Sequence, residues 1–271
     1  MAGPTEVEAE AEADPLFNSI QYLPTNEAYD KWAEVYDSDG NFLQALDSLE
    51  LKRLFPRFLK GIPPTRTQAP RQIVDLGCGT GRNTSLLLGI PDAKIFALDA
   101  SKGMLEVAKS RLSGSNPHLH FGIFDMTDPT ATTVAAGVVV ADFTVDAIIC
   151  TLVVEHVPLD LFFRHVSRLL RDGGVLLLTN MHSEMGAISQ AGFVDKATGV
   201  KIRPKSYAHT VEDLMREARR WGLIVEKDEE DGTGILERAV DEDMVDKLGP
   251  RSKKWVGVTC WFGGVFRKML S

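Results

Sequence analysis

The chain has 271 residues, 44% of them hydrophobic, which suffices for one large α/β domain with additions or for two small domains. A formal net charge of −8 disfavours a nucleic-acid substrate, because phosphate binding requires a basic face. Neither a secretion signal nor an apolar run near the roughly 18 residues of a membrane span stands out. We therefore expect a cytoplasmic protein with no nucleic-acid or membrane partner, and the sequence leaves monomer and homodimer open.

Three cysteines, Cys78, Cys150 and Cys260, lack the spacing of metal ligands, and two of them fall in apolar strands. We expect reduced and mostly buried thiols, as in intracellular proteins. No cluster of acidic residues or histidines has ligand spacing either, so no metal is expected.

The amino-terminal part divides into an acidic tail with an arm, residues 1–25, and a helical segment with a linker, residues 26–70. Tyr29, Trp32 and Tyr36 recur at helical spacing and place three aromatic rings on one face. Such a stripe is either core packing or part of a lid that folds over a ligand.

A glycine-rich turn follows the first strand of the predicted central sheet. Residues 72–83 form an apolar strand with Asp75 near its end, a tight turn, and the beginning of a helix. Three glycines let the turn bend and approach a ligand closely: Gly77, Gly79 and Gly81. The dinucleotide fingerprint G-x-G-x-x-G is not met, because Arg82 stands where its third glycine belongs, and this counts against a nicotinamide-dependent oxidoreductase.

The region after this turn alternates strands and helices, which predicts a parallel sheet with helices on both faces. Predicted strands cover residues 94–98, 146–152 and 175–179, and predicted helices cover residues 83–88, 102–112 and 160–170. The carboxyl ends of such strands meet at a ligand crevice. Asp99, at the end of the second strand, is placed to accept hydrogen bonds from both hydroxyls of a ribose.

An insertion at residues 184–210 follows the fifth strand. Its apolar alternation around Thr198–Gly199 predicts a small hairpin above the crevice, which we assign to substrate selection. The chain then ends with a helix at residues 211–221, a strand at residues 223–226, an acidic loop, and a strand at residues 255–266.

Four ordered motifs together resemble the class I S-adenosylmethionine-dependent methyltransferases. They are Asp75-x-Gly77-x-Gly79-x-Gly81, Asp99 to Leu105, Asp125–Met126, and Leu152 to Val157, within residues 72–180. An ordinary α/β turn with incidental carboxylates would require four coincidences. The resemblance implies a Rossmann-like α/β fold with a seven-stranded sheet of order 3-2-1-4-5-7-6, a helical lid at the amino terminus, and a cofactor-binding domain at residues 71–271.

The resemblance also implies S-adenosylmethionine as cofactor and S-adenosylhomocysteine as product. Asp75 and the glycines would face the methionine part and the ribose, and Ala100 and Met104 would lie beside the adenine. Asp125 would accept a hydrogen bond from the adenine amino group, and Met126 would donate one from its backbone. The predicted cofactor residues are Tyr29, Trp32, Asp75, Gly77, Cys78, Gly79, Gly81, Asp99, Ala100, Met104, Asp125, Met126 and Thr151.

Methyl transfer to a hydroxyl or an amine needs a proton acceptor near the ends of the fourth and fifth strands. His156, His182 and His209 are the candidates, since a neutral imidazole accepts a proton near pH 7. Each has a structural alternative: His156 packs beside the cofactor, His182 is a hydrogen-bonded loop residue, and His209 only precedes a helix cap. Glu155 either orients an imidazole, binds a substrate amine, or is an exposed loop carboxylate.

We predict methyl transfer to an oxygen or nitrogen of a small aromatic molecule. The residues predicted to contact this acceptor are Tyr36, Asn41, Glu155, Phe193, Tyr207 and Trp261. The amino-terminal aromatic segment and the insertion resemble fungal secondary-metabolite methyltransferases, a group that includes enzymes acting on N-hydroxyindole alkaloids. The alternative is a scaffold or regulatory subunit that binds the cofactor without transferring methyl groups.

Overall fold

The computed structural model describes residues 20–64, 69–114, 116–135, 137–229 and 231–270. The predicted acidic tail falls on residues outside these ranges. Numbered along the chain, the strands of the central sheet are β2 (Arg71–Leu76), β3 (Ala93–Asp99), β4 (Leu119–Ile123), β7 (Val145–Thr151), β8 (Leu170–Met181), β11 (Leu223–Val225), β12 (Leu236–Ala239) and β13 (Thr259–Lys268). Small strands are β1 (Ile20–Leu23), β5 (Val134–Ala135), β6 (Val138–Val139), β9 (Phe193–Val194) and β10 (Lys201–Pro204).

The helices lie between these strands and before them. They are α1 (Thr25–Trp32), α2 (Phe42–Gly61), α3 (Thr84–Leu87), α4 (Lys102–Leu112), α5 (Leu159–Leu169), α6 (Ser183–Ile188), α7 (Val211–Arg220) and α8 (Val245–Leu248). Asn41 and Ser101 cap α2 and α4, where each side chain accepts a hydrogen bond from a backbone N–H of the first turn.

The central sheet runs in the order β11-β13-β8-β7-β2-β3-β4, and β12 pairs with β13 as an eighth strand. If the seven strands of this path are renumbered 1 to 7 in chain order and the sheet is read from β4 to β11, their order is 3-2-1-4-5-7-6. The strands from β8 to β4 are parallel neighbours, whereas β13 is antiparallel to β8, β11 and β12. The predicted α/β class is confirmed. The predicted count of seven strands is wrong, since β12 lies in the stretch we expected to be an acidic loop.

Two apolar layers cover the sheet, because successive strand residues point to opposite faces. One layer packs α5 and α7 against residues such as Val74, Ile148 and Leu176. The other layer packs α2 against the strand residues that point to the opposite face, for example Ile73 and Ile149. Near-continuous apolar strands are what a parallel sheet covered on both faces requires.

A second, three-stranded sheet lies beside the main one, with β1 parallel to β10 and β10 antiparallel to β9. The predicted hairpin of the insertion is thus present, and its turn is closed by Asp195 and Val200. Helix α1 packs on this sheet through Ala28 and Trp32, whose indole stacks on Phe193 at 5.1 Å. The pairing of β1 was not predicted, since its partner lies 181 residues further along the chain, with Ile20 opposite Lys201.

Candidate active site

A cavity of about 500 Å³ opens at the carboxyl ends of β2, β3 and β7, under the segment that contains α1. We call it the first cavity. The predicted residues that line it are Tyr29, Tyr36, Gly77, Gly79, Asp99, Ala100, Met104, Asp125, Met126, Thr151, His156 and Tyr207. Its volume falls in the range of cofactor sites, which are about 300 to 1,000 Å³.

Asp99 holds the glycine-rich turn next to this cavity. Its Oδ2 accepts a hydrogen bond from the backbone N–H of Gly79 at 2.8 Å, and its Oδ1 accepts one from Ser101 at 2.8 Å. Burial raises the pKa of Asp99 to about 6, although these two donors act in the opposite direction. At neutral pH the carboxylate is ionised, so that it can accept hydrogen bonds from a ligand's hydroxyls.

The glycines of the turn serve different ends. Gly77 has φ +76°, and a Cβ there would lie 2.4 Å from a methyl carbon of Val153. A Cβ at Gly81 would lie 2.9 Å from Leu112, so this glycine permits close packing against α4 rather than ligand contact. Gly79 has φ +53° with nothing within 4 Å of its Cβ position, because it borders the first cavity. The space beside Gly79 is therefore left for a ligand.

Four residues predicted to bind the cofactor lie outside the first cavity: Trp32, Asp75, Cys78 and Gly81. Gly81 packs as described above, and Cys78 packs against Ala97 and Leu105. Asp75 is 2% exposed and accepts a hydrogen bond from Thr84 Oγ1 at 2.6 Å. Burial raises the pKa of Asp75 to about 7, against the lowering effects of Thr84 and the Arg82 charge. Asp75 thus anchors the first turn of α3 beneath the site.

Substituting Asn for Asp75 should alter the pH dependence of the free energy of unfolding. The Asp75 pKa is about 7 in the folded state and about 4 in an unfolded chain. Between these values the folded state retains the proton, so wild-type stability falls as the pH rises. The Asp75→Asn variant lacks this slope and should gain stability relative to wild type as the pH rises from about 4 to about 7, as measured by urea unfolding. Exposed Asp243→Asn is the control, and a constant difference between Asp75→Asn and wild type would contradict the assignment.

His156 lines the first cavity, but both of its ring nitrogens are engaged. Nδ1 lies 2.7 Å from the carbonyl oxygen of Lys205, so this nitrogen carries the proton and donates. Nε2 therefore accepts from the Tyr29 hydroxyl at 2.8 Å. His156 thus joins the lid residue Tyr29 to the insertion, and in this arrangement it has no free lone pair for a substrate proton.

The two other histidines predicted as candidates for the catalytic base, His182 and His209, line neither cavity of this site. His182 caps α6, where its Nδ1 accepts from the backbone N–H of Glu184, and its Nε2 lies 3.3 Å from a Glu237 carboxylate oxygen. His209 donates a hydrogen bond from its Nε2 to the Val157 carbonyl at 2.9 Å, and its ring stacks on Tyr207. Their role as a catalytic base stays a prediction.

A second cavity of about 90 Å³ adjoins the first one. Tyr29, Tyr36 and Leu152 line both cavities and form a common wall. Leu152 has φ +56°, a left-handed conformation that is unusual for leucine and that costs on the order of 1–3 kcal/mol. Among the residues predicted for the cofactor or acceptor, Trp32, Asn41 and Glu155 line only this second cavity.

Glu155 is the buried acid of the second cavity. It is 3% exposed, and burial raises the pKa of its carboxyl above the usual value. Its Oε1 lies 3.9 Å from His156 Nε2, and its Oε2 is buried without a hydrogen-bond partner among the described residues. A buried carboxylate oxygen without a donor is costly, so it marks a place for a ligand donor.

Phe193 and Trp261, which were predicted to contact the acceptor, line neither cavity. Phe193 packs on Trp32 within the three-stranded sheet. Trp261 is fully buried under α2, where its Nε1 donates to Asp47 Oδ1 at 2.9 Å. Cavity residues that the sequence analysis missed are Asn26, Phe124, Thr127, Leu161, Lys205, Met181, Met185, Arg251 and Lys254.

The segment from α1 to Asn41 is tied at two further places to the turns that follow β2 and β3. Asp30 Oδ1 accepts from Ser101 Oγ at 2.6 Å and from the Gly103 backbone at 2.8 Å. Asp37 accepts from Thr80 Oγ1 at 2.9 Å and forms an ion pair with Arg111. These contacts hold the segment closed over the first cavity.

Two classes of site find no support in the part of the chain that the structure describes. No helix there is both long and apolar enough to cross a bilayer. No group of three or more His, Cys, Asp and Glu side chains there is arranged to hold a metal ion.

The fold and the first cavity together define an α/β domain that binds its ligand over a glycine-rich turn at the carboxyl edge of the sheet. Residues 74–178 match the family model described as a methyltransferase domain. The chain is 48% identical over 268 residues to an uncharacterised methyltransferase of Emericella nidulans, covering 90% of this chain and 91% of that protein. It is 39% identical over 109 residues to a trans-aconitate 2-methyltransferase of Acidovorax sp., covering 40% of this chain and 37% of that protein.

A solved structure supports the same fold. An S-adenosylmethionine-dependent methyltransferase from Mesorhizobium loti matches with a TM-score of 0.55 at 17% identity, covering 79% of this chain and 97% of that one. The chain therefore belongs to the class I S-adenosylmethionine-dependent methyltransferases, and S-adenosylmethionine is its cofactor. The predicted family and cofactor are confirmed.

Proposed function

We propose that the protein transfers a methyl group from S-adenosylmethionine to an oxygen or nitrogen of a small aromatic acceptor in the second cavity. The observation that carries this proposal is the wall common to both cavities, formed by Tyr29, Tyr36 and Leu152. A donor in the first cavity and an acceptor in the second would meet there. Holding two reactants in line is the larger part of catalysis in such transfers.

The first cavity suits S-adenosylmethionine in shape and in chemistry. Asp99 offers carboxylate oxygens for the ribose hydroxyls at the edge of the glycine-rich turn. Met104, Phe124 and Met126 supply apolar surface for the adenine, with Asp125 beside them. When bound, the cofactor supplies an electrophilic methyl group on a sulfonium, so the protein has to align the partners and accept a proton.

An aromatic acceptor is favoured by the composition of the second cavity. Its walls include the rings of Tyr29, Trp32, Tyr36, Phe42 and Trp255. The cavity is small, and larger acceptors require the segment held by Asp30 and Asp37 to open. An N-hydroxyindole alkaloid and a place in secondary metabolism fit these walls. Trans-aconitate is named for a relative that shares less than half of either chain, so we do not transfer that substrate.

Glu155 is the residue we propose as the proton acceptor. Its Oε2 has no protein donor among the described residues, and the raised pKa of its carboxyl makes it a stronger base. An O–H or N–H of the acceptor would donate to Oε2, and the proton would pass to this oxygen as the methyl group is transferred.

The test is turnover by wild type and by Glu155→Gln. Purified protein is incubated with S-adenosylmethionine and a panel of phenols, N-hydroxyindoles, amines and thiols, and methylated products are identified by mass spectrometry. Glu155→Gln should lower kcat by about 100-fold or more without changing cofactor affinity. Glu237→Gln, outside both cavities, is the matched control. Unchanged kcat in Glu155→Gln would refute its role, and bound cofactor with no product from any acceptor would favour the scaffold alternative.

The remaining expectations belong to this proposal as well. The three cysteines are free and buried in the structure, which supports a reducing compartment such as the cytoplasm. We also propose that the acceptor is a small molecule and that the protein acts as a monomer or a homodimer. Residues 26–70 and the insertion at residues 184–210 are proposed to form a lid.

A further inference from the structure

Four basic side chains lie around the second cavity, and we call them the cationic rim: Lys201, Arg203, Arg251 and Lys254. Arg251 and Lys254 line the cavity directly. Arg203 packs on Gly192, another lining residue, where a Cβ would be 2.9 Å from the Arg203 Cγ. Lys201 belongs to the same strand, β10. The residues of the cationic rim thus come from two segments that are distant in sequence, the insertion and the turn before β13.

The rim is not neutralised by ion pairs within the described residues. Arg251 Nη1 donates at 2.6 Å to the backbone oxygen of Asp39, and Lys254 Nζ lies 5.3 Å from the centre of the Trp255 ring. Arg203 Nε is buried without a partner there. The Asp39 carboxylate, which also borders the cavity, accepts instead from Trp32 and from the Asn41 backbone. In a protein of net charge −8, this concentration of unpaired cations requires an explanation.

The charges of the cationic rim repel one another, and this repulsion affects the pKa of Lys201. Burial lowers the pKa of Lys201, and the charges of Arg203, Lys254 and Arg251 lower it further. The side chains of the rim are also partly fixed in position, since Arg251 donates a hydrogen bond to the backbone oxygen of Asp39 and Arg203 packs against Gly192. An anion at this place would relieve the repulsion and satisfy the open donors, and the planar guanidinium groups suit carboxylate and phosphate oxygens.

We propose that the cationic rim binds an anionic group, a carboxylate or a phosphate, carried by the methyl acceptor at the end away from the methylated atom. This inference rests on the proposed function and adds a feature of the substrate. Glu155 favours a hydrogen-bond donor and repels an anion, while the rim attracts one. The two groups therefore orient the acceptor in one direction, with its nucleophilic atom at the wall next to the first cavity.

The experiment uses phenols that differ in the group opposite the hydroxyl, two of them anionic and one neutral. Binding of para-hydroxybenzoate, para-hydroxyphenyl phosphate and neutral para-hydroxybenzamide is measured by calorimetry, with the protein saturated in S-adenosylhomocysteine. Wild type should bind at least one anion roughly tenfold or more tightly than the amide. The double variant Arg251→Gln/Lys254→Gln should lose this preference and retain its affinity for the amide. Lys253→Gln, in the same turn but outside the cavity, should keep the preference.

The outcomes separate this inference from the proposed function. A preference for the carboxylate alone or for the phosphate alone identifies the source of the charge. If wild type binds the anions and the amide with equal affinity, the cationic rim is not an anion site. The same conclusion holds if wild type binds none of the three probes detectably. A preference that survives in the double variant also overturns the rim as an anion site, provided that the variant's urea unfolding matches wild type. Turnover measured in parallel decides the proposed function, since methylation without charge preference refutes only the rim.

Discussion

Replacing Asp47 with alanine is expected to lower the free energy of unfolding by about 3 to 5 kcal/mol, because two buried donors lose their acceptor and Arg82 loses its ion-pair partner. Asp47 is fully buried on α2, and its Oδ2 pairs with Arg82 at 2.7 Å. Its Oδ1 accepts from Thr179 Oγ1 at 2.6 Å and from Trp261 Nε1 at 2.9 Å. The substitution leaves these donors buried without an acceptor.

Urea unfolding measures this loss, with exposed Asp243→Ala as the control, which should change stability by less than about 0.5 kcal/mol. Because Arg82 follows the glycine-rich turn, Asp47→Ala should weaken cofactor binding as well. A loss of stability below about 1 kcal/mol would show that Asp47 is not the centre of this network.

Replacing Asp99 with alanine is expected to weaken S-adenosylmethionine binding by about 3 kcal/mol, or roughly 100-fold. Hydrogen bonds to a charged group contribute about 1.5 to 3 kcal/mol each, and the ribose diol offers two donors. Asp99 also fixes the Gly79 backbone, so the turn loses its support in the variant. Asp99→Asn, which keeps one acceptor oxygen, should fall between alanine and wild type.

Calorimetric titration with S-adenosylhomocysteine measures this affinity. Asp128→Ala is the control, because Asp128 lies in the loop after β4, outside the first cavity, and among the described residues its carboxylate accepts hydrogen bonds only from Thr130. Unfolding curves for the variants separate a general loss of stability from a loss of ligand contacts. Unchanged affinity in a stably folded Asp99→Ala variant would refute the assignment of Asp99 to the ribose.

The central sheet and the glycine-rich turn were predictable because their signals are local. Apolar strands alternate with helical periods, and Gly77, Gly79 and Asp99 stand at strand ends, where such folds bind ligands. Tyr29 and Tyr36 also reach the first cavity, but only Tyr29 does so from a helix, since α1 ends at Trp32 and Tyr36 lies in the turn that follows.

Side-chain direction near strand ends was not predictable in the same way. The sequence places His182 just past the fifth strand, but β8 continues to Met181, and His182 becomes the cap of α6. Trp261 has the apolar character of a substrate wall, yet its partner Asp47 lies 214 residues away in the chain and holds it in the core. One residue of shift along a strand changes the face to which a side chain points.

Contacts between distant segments account for the rest. Glu155 was left open because its surroundings come from other elements: Asn180 of β8 accepts from its backbone N–H, and Tyr207 of the insertion donates to its carbonyl. The cationic rim gives no sequence signal, since its members come from β10 and from the turn before β13 and are separated by about fifty residues.

A crystal structure of the protein with S-adenosylhomocysteine tests the account most directly. The account predicts the ribose at Asp99, the adenine beside Met104 and Met126, and the sulfur at the wall formed by Tyr29, Tyr36 and Leu152, facing the second cavity. A sulfur atom that points away from this wall, for example towards Lys205 and Tyr207, would contradict the proposed path of the methyl group.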